Sequence, residues 1–221
     1  DGTVIPGLID AHGHLLGLGF SLLQADLVGT RSKADVIERL RAKADALAPG
    51  EWLLGRGWDQ NDWPEQQFPT AADLDLAFAD RPVGLERVDG HAGWANSTAL
   101  RAAKLAADTP DPEGGRIERG PDGAPTGVLV DAAMDLVQRH VPKPSADLTR
   151  RALRLALQAA VAAGLTGVHD AGVSRSDLAL YRELADDDAL PLRIYAMANG
   201  EGAALDWLCR QGVYAHPGGR L

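Results

Sequence analysis

The feature that most constrains the fold is an alternation of short apolar segments with amphipathic helical segments. Residues 5–10, 165–169 and 192–198 have the length and apolar character of buried strands. The clearest helical pattern lies between the first two, where Ser145 can cap a helix that runs to residue 163 and stops at Gly164. Strands that alternate with helices are typical of βα units, so we predict an α/β fold with a parallel sheet.

The segment from about residue 52 to residue 141 interrupts this alternation. It holds two predicted strands, at 52–58 and 82–88, and a stretch at 108–126 that is rich in Gly and Pro, as in an exposed hairpin. We therefore predict three regions: 1–51 as the start of a barrel with its first strand and helix, 52–141 as an inserted β-containing subdomain, and 142–221 as further βα units. A closed barrel typically needs about 250 residues, so the prediction is a partial, truncated (β/α)8 TIM barrel.

Charge and cysteine content exclude several classes of partner. The chain has 31 acidic and 22 basic residues, a formal net charge of −9, and no basic cluster, which excludes DNA and RNA. Its apolar runs are far shorter than the roughly 20 residues of a membrane span, so we expect no membrane partner.

The single Cys209 excludes an intrachain disulfide and is compatible with a cytoplasmic location. Because the chain opens on Asp without a signal segment, we expect it to begin inside a larger gene product.

Two histidines follow the first predicted strand. Since side chains alternate along a strand, His12 and His14 point to the same side and can converge on one divalent ion. Asp10 has the same parity and is either a further ligand or a partner that orients an imidazole. An isolated His-x-His is a weak signal, because each histidine is often an ordinary surface residue. The carboxyl end of a buried strand, where parallel barrels carry catalytic groups, favours the metal interpretation.

The sequence PGLIDAHGH at residues 6–14 resembles the first barrel strand of the metal-dependent amidohydrolase superfamily. Four further segments resemble the branch called amidohydrolase family three, which includes N-substituted formamide deformylase-like proteins: GRGWD at 55–59, DGHAGWANS at 89–97, PTGVL at 125–129 and GLTGVHD at 164–170. The similarity spans essentially the whole chain and is to the N-terminal part of the catalytic region.

The resemblance implies a hydrolase of non-peptide C–N bonds, in amides or formamides, that uses one or two Zn²⁺ or similar ions to activate water. His12 and His14 would bind the more buried ion, while the general base and the remaining ligands are expected beyond Leu221. The partner is then a small-molecule amide substrate. The alternative is a catalytically silent fragment that folds by association, whose open sheet edges favour a homodimer or aggregation.

The resemblance also makes His91, Trp94 and Asn96 candidate substrate contacts in the insertion that covers the substrate pocket. The alternatives are that His91 bonds a loop carbonyl, that Asn96 caps a helix and that Trp94 belongs to a small core of the insertion. His169 and Asp131 are candidates for positions near the metal. For His169, at the end of a predicted strand, the alternative is a hydrogen-bonded core histidine. Asp131 stands where relatives often have Glu, and its shorter carboxylate disfavours a direct metal bond.

Overall fold

The computed structural model describes residues 2–200 and 202–221, and the chain divides into two compact units. The first unit is discontinuous and combines Asp1–Leu22 with Pro144–Leu221, whereas the second is the continuous segment Leu23–Lys143. A discontinuous unit of this kind arises when a segment is inserted between two elements that pair with each other.

Strands and helices follow one another along most of the described chain. In chain order they are β1 (Leu8–Gly13), α1 (Leu15–Leu23), β2 (Ala25–Asp26), α2 (Lys33–Ala44), β3 (Leu53–Trp58), α3 (Ala71–Phe78), β4 (Val83–Arg87), β5 (Ala92–Ala95), α4 (Ser97–Ala102), β6 (Gly115–Arg119), β7 (Pro125–Asp131), α5 (Asp135–Gln138), α6 (Ala146–Ala162), β8 (Leu165–Val173), α7 (Arg175–Asp186), β9 (Arg193–Ala198) and α8 (Gly202–Gln211). Each helix that the structure describes falls short of the length and apolar character that a membrane crossing needs.

The first unit is built on a parallel sheet of order β1-β8-β9. One face packs against α6 and α7, and Leu153, Val168 and Tyr181 belong to the resulting buried core. On the opposite face Ile9 is 52% and Tyr195 63% exposed. The predicted α/β class is confirmed. Three parallel strands are compatible with a partial TIM barrel, which stays a prediction.

The first strand lies further along the chain than residues 5–10, because it spans Leu8–Gly13. Pro6 has no N–H to give to a ladder, which explains the late start. At its other end β1 continues through His12, and Gly13 pairs with Asp170 of β8 after a register shift. A Cβ on Gly13 would lie 2.9 Å from Val168 Cγ1, so glycine permits the close approach of the two strands.

The second unit is a six-stranded mixed sheet of order β2-β3-β4-β5-β7-β6. The first three strands are parallel, and the other three join antiparallel. Its core contains Trp58, Trp63 and Trp94, whose ring centroids lie 5.9–6.1 Å apart and which are at most 2% exposed. Three of the four tryptophans of the predicted insertion therefore form its core.

The borders of the two units differ from the predicted domain borders at residues 51/52 and 141/142. The structure places the borders at 22/23 and 143/144. Helix α2 belongs to the second unit, because the preceding strand β2 pairs with β3 and Val36 and Leu40 of the helix pack in the tryptophan core. The two-residue strand β2 is too short to leave a pattern in the sequence.

Candidate metal centre

The two histidines predicted to bind a metal lie together where β1 ends. Their imidazole ring centroids are 5.3 Å apart, and the ring planes are nearly perpendicular at 86°. Both side chains are exposed. The Asp10 carboxylate accepts a hydrogen bond of 3.0 Å from the main-chain N–H of His12. This bond holds the main chain of His12 and leaves the second carboxylate oxygen available, so both predicted roles of Asp10, ligand and imidazole partner, stay predictions.

The imidazole of His14 is fixed by a main-chain acceptor on β8. Its Nδ1 atom lies 3.0 Å from the carbonyl oxygen of Ala171. A carbonyl oxygen only accepts hydrogen bonds, so Nδ1 carries the proton and donates it. In the neutral ring Nε2 then has the free lone pair. Histidines that bind metals are typically held in this way by the nitrogen that faces away from the ion.

A buried carboxylate holds the first residue of α1, next to His14. Asp170 is 3% exposed, and it accepts hydrogen bonds from the Leu15 N–H at 2.8 Å and from the Tyr181 hydroxyl at 2.5 Å. Burial, together with the hydrogen bond to Asp170, raises the pKa of the Tyr181 phenol above its usual range. The hydroxyl therefore keeps its proton and acts as the donor.

The sequence offers one signal for this arrangement, although Asp170 is absent from the predicted site residues. Asp170 and Val168 are two residues apart, so they point to the same face of β8, and that face is covered by helices. A carboxylate in such a position is costly unless it is hydrogen-bonded. The parity thus predicts a polar partner without identifying it, and the partners Leu15 and Tyr181 come from two other elements.

His169, the candidate near-metal residue on β8, points away from the helix-covered face. It is half-buried, and its ring centroid lies 5.1 Å from that of Tyr195, its register partner on β9. Since Gly13 aligns with Asp170 and neighbouring residues alternate, His12 comes to the same face as His169. His12 and His169 therefore lie on one side of the sheet, and the His14 ring lies beside that of His12.

The chemistry of this donor set fits part of a metal site. Zinc favours imidazole ligands, and catalytic zinc sites typically have three protein ligands. His12 and His14 present two imidazoles side by side. In the part of the chain that the structure describes, no group of three or more His, Cys, Asp or Glu side chains is arranged to hold an ion. The two histidines thus suit two positions of a ligand set that needs at least one more group.

His91 and Asp131 form a second histidine–carboxylate pair, in the second unit. His91 Nδ1 lies 2.8 Å from Asp131 Oδ1, and the side chains are 70% and 49% exposed. The partner of His91 is thus a carboxylate and not the loop carbonyl of the alternative interpretation. Asp131 has φ +50° and ψ −125°, a combination that glycine adopts more readily than other residues.

The loop that carries His91 is held by an ion pair. The Arg87 guanidinium donates hydrogen bonds of 2.9 and 2.7 Å to the two oxygens of Asp89. These bonds lower the pKa of the Asp89 carboxyl to about 2. Asp89 therefore stays ionised at neutral pH, and it accepts a further bond of 3.0 Å from the main-chain N–H of His91.

Trp94 and Asn96 have structural roles, as in the alternative interpretations, and substrate contact by either residue stays a prediction. Both are 0% exposed. The Trp94 indole donates its N–H to the carbonyl of Thr70 at 2.8 Å. The Asn96 amide caps α4, as in the alternative interpretation, and its four hydrogen bonds saturate it with main-chain groups of Val83, Ala99, Phe78 and Arg81.

Comparison with known proteins gives consistent matches. Residues 1–220 match the sequence profile of the amidohydrolase family. The chain is 38% identical over 200 residues to YtcJ of Bacillus subtilis (strain 168), and 34% identical over 206 residues to the N-substituted formamide deformylase of Arthrobacter pascens. Its fold is similar to the crystal structure of an uncharacterized metal-dependent hydrolase from Pyrococcus horikoshii OT3, with a TM-score of 0.71 and 25% identity.

These matches cover most of this chain and a smaller part of each relative. They include 90% of the chain for both curated proteins and 98% for the solved structure. The matched region is 36% of YtcJ, 38% of the deformylase and 41% of the Pyrococcus chain. The chain thus spans well under half the length of the proteins it matches.

Proposed function

The chain belongs to the amidohydrolase family. We propose that it acts as part of a metal-dependent hydrolase of non-peptide C–N bonds in amides or formamides. The observation that carries the proposal is the pair of imidazoles at the end of β1, one of which already gives its Nδ1–H to a carbonyl oxygen. The formamide deformylase among the relatives supports this class of substrate.

We assign His12 and His14 as ligands of a divalent ion, Zn²⁺ or a similar metal, in a centre of one or two ions. Such an ion supplies an activated water molecule and polarises the substrate carbonyl when it is bound. The role of His14 is to present Nε2, because its other ring nitrogen is held by Ala171. We assign no further ligand and no general base among the described residues, and His169 is retained as a neighbour of the site.

We propose the His91–Asp131 pair as the substrate-contacting group of the second unit. Asp131 accepts the Nδ1–H of His91, so Nε2 can accept a hydrogen bond from a substrate N–H. The hydrogen bond of such an exposed pair contributes only about 0.5–1.5 kcal/mol to stability. A strained backbone such as that of Asp131 costs about 1–3 kcal/mol and is often retained at functional positions. Stability alone therefore does not account for the pair.

Metal binding by single-histidine variants tests the ligand assignment. Zn²⁺ is titrated calorimetrically into the wild type, His12→Ala, His14→Ala and His140→Ala, the last being an exposed histidine without an assigned role. We expect the first two variants to bind at least about tenfold more weakly than the wild type, and the His140 variant to match it. Equal affinities in all four proteins would contradict the assignment.

A second candidate function is that of a catalytically silent chain that folds by association. The exposed apolar side chains Ile9 and Tyr195 on the open face of the first sheet favour it. Association and catalysis make different predictions for the chain in isolation, and measurements of oligomeric state and of hydrolysis separate them.

A further inference from the structure

We propose that Asp170 and Tyr181, which we name the Asp170–Tyr181 clamp, are positioning residues that orient His14 for metal binding. The proposal rests on the proposed function, in which His12 and His14 are metal ligands. It adds two residues that do not touch the ion and that belong to β8 and α7.

Consecutive residues of β8 hold the His14 segment at two points. The carboxylate of Asp170 accepts the N–H of Leu15, the residue directly after His14, at 2.8 Å. The carbonyl of Ala171 accepts the Nδ1–H of the His14 ring at 3.0 Å. One bond fixes the main chain beside the ligand, and the other fixes the ring and its tautomer. Together they determine the direction of Nε2.

Tyr181 fixes the orientation of the Asp170 carboxylate, which accepts the Leu15 N–H. Asp170 is 3% and Tyr181 0% exposed, and the hydroxyl donates to Asp170 Oδ2 while Leu15 N–H occupies Oδ1. Each oxygen therefore has its own donor, which sets the orientation of the carboxylate plane. The positive end of the α1 dipole, at Leu15, also favours a negative charge at this place.

Packing alone does not require these two polar groups. Asp170 lies between Val168 and Val173 on the helix-covered side of β8, and all three belong to a buried region in which apolar side chains are the rule. A phenylalanine at position 181 would fill the same core. The carboxylate and the hydroxyl are costly to bury unless they bond each other and the α1 amide. The hydrogen bond from the Leu15 N–H to Asp170 explains why these two polar groups are present, because it fixes the main chain directly after His14.

The first measurement is of the His14 tautomer, and it uses no metal. Long-range ¹H–¹⁵N NMR spectra of the ¹⁵N-histidine-labelled 221-residue chain are compared for the wild type, Tyr181→Phe and Asp170→Asn. We expect the wild type to show a single tautomer protonated at Nδ1, and both clamp variants to show a mixture. The matched control is Ile194→Val, which changes the same core without touching the clamp. It should keep the wild-type spectrum, although it lowers the melting temperature.

The second measurement is of Zn²⁺ affinity, for the same four proteins at a temperature where all are folded. Loss of an outer partner typically weakens metal binding about 10- to 100-fold. We therefore expect a loss of about tenfold or more for Tyr181→Phe and Asp170→Asn, with Ile194→Val matching the wild type. A purely structural clamp would lower the melting temperature of its variants and leave tautomer and affinity unchanged, and this result would overturn the proposal.

If Asp170→Asn does not fold, Tyr181→Phe decides, since it removes one hydroxyl and keeps the ring. If His14→Ala binds Zn²⁺ as well as the wild type, the proposed function fails, and the metal-free tautomer spectra still decide whether the clamp orients His14.

Discussion

Asp131 is the residue whose backbone and side chain make opposite contributions to stability. Its φ of +50° with ψ of −125° costs about 1–3 kcal/mol in a residue other than glycine. We therefore expect Asp131→Gly to be more stable than Asp131→Ala by about 1–3 kcal/mol, the reverse of the usual order for these two residues. Both variants lose the pair with His91, so the comparison isolates the backbone. Urea unfolding measures it, and an alanine variant of equal or greater stability would contradict the strain.

Asp89 makes the stability of the second unit depend on acid pH. The hydrogen bonds from Arg87 lower its pKa to about 2 in the folded chain, from an unfolded value of about 3.9. Ionised Asp89 therefore stabilises the fold above about pH 4, and this contribution is lost as the pH falls from about 4 to about 2. The free energy of unfolding of the wild type should exceed that of Asp89→Asn by at most about 1 kcal/mol at pH 6, because the Arg87–Asp89 pair is partly exposed.

Thermal melts of the two proteins at pH 6, 4 and 2 follow this difference. The two melting temperatures should converge at the lowest pH. A constant gap across the series would mean that the charge of Asp89 is not what stabilises the loop.

At the residue scale, the sequence predicts the direction in which a side chain points better than it predicts the group that the side chain contacts. The spacing of His12 and His14 predicts that both side chains lie on one side of the chain. Their ring centroids are 5.3 Å apart, although β1 itself ends at Gly13. Asp170 has a detectable parity, but its partners Leu15 and Tyr181 are 155 and 11 positions away. Partners at such distances are set by tertiary packing, which no local pattern records.

The contact of α1 with α6 depends on a glycine. A Cβ on Gly19 would lie 2.2 Å from the carbonyl oxygen of Ala152, a backbone atom that cannot turn away. We expect Gly19→Ala to lower the free energy of unfolding by about 1–3 kcal/mol, because overpacking outweighs the gain in helix propensity. Gly17→Ala is the matched control, since its Cβ would lie at an acceptable 3.4 Å from His14 Cβ.

Denaturant unfolding of the two alanine variants tests this packing. Both gain the same helix propensity, so their difference reports the contact with Ala152 alone. Equal stabilities would show that the two helices have room to spare at this point.

Helix starts could be predicted from the sequence, whereas strand limits and pairing could not. Ser145 caps α6 as predicted, by accepting a main-chain N–H three residues later at 3.1 Å, and Ser32 caps α2 in the same way. These bonds are local, so their pattern is visible in the sequence. The strand predicted at residues 165–169 continues to Val173, because β9 and β1 supply partners beyond His169. Pairing with distant strands decides such limits.

At the scale of the whole molecule, we expect the chain to self-associate through its first sheet. Ile9 lies on the edge strand β1 and is 52% exposed, on the face that carries the exposed Tyr195. Ile9→Lys places a charge there and should shift the chain towards the monomer. Val4→Lys is the control, because Val4 is 97% exposed and precedes the strand. Sedimentation velocity at several concentrations measures the shift, and a wild type that is monomeric throughout would rule out association.

We also expect the 221-residue chain to be inactive on its own, even with added Zn²⁺. A catalytic zinc site needs about three protein ligands and a placed base, and the described residues bring two imidazoles together. Formate or amine release from N-substituted formamides measures this. Turnover that His12→Ala abolishes would show that the chain already contains a complete site.

The discontinuity of the first unit has a consequence for the order of events during synthesis. β1 is synthesised before the other described elements, yet among the described strands it pairs with β8, and the bond from His14 to Ala171 spans 157 positions. At about 5–20 residues per second, translation of that interval takes roughly 8–30 s. The second unit, which is encoded entirely within it, has time to fold first. The histidine segment therefore stays unpaired in the nascent chain until β8 has been synthesised. His14 is held in position for metal binding only after the second unit has had time to fold.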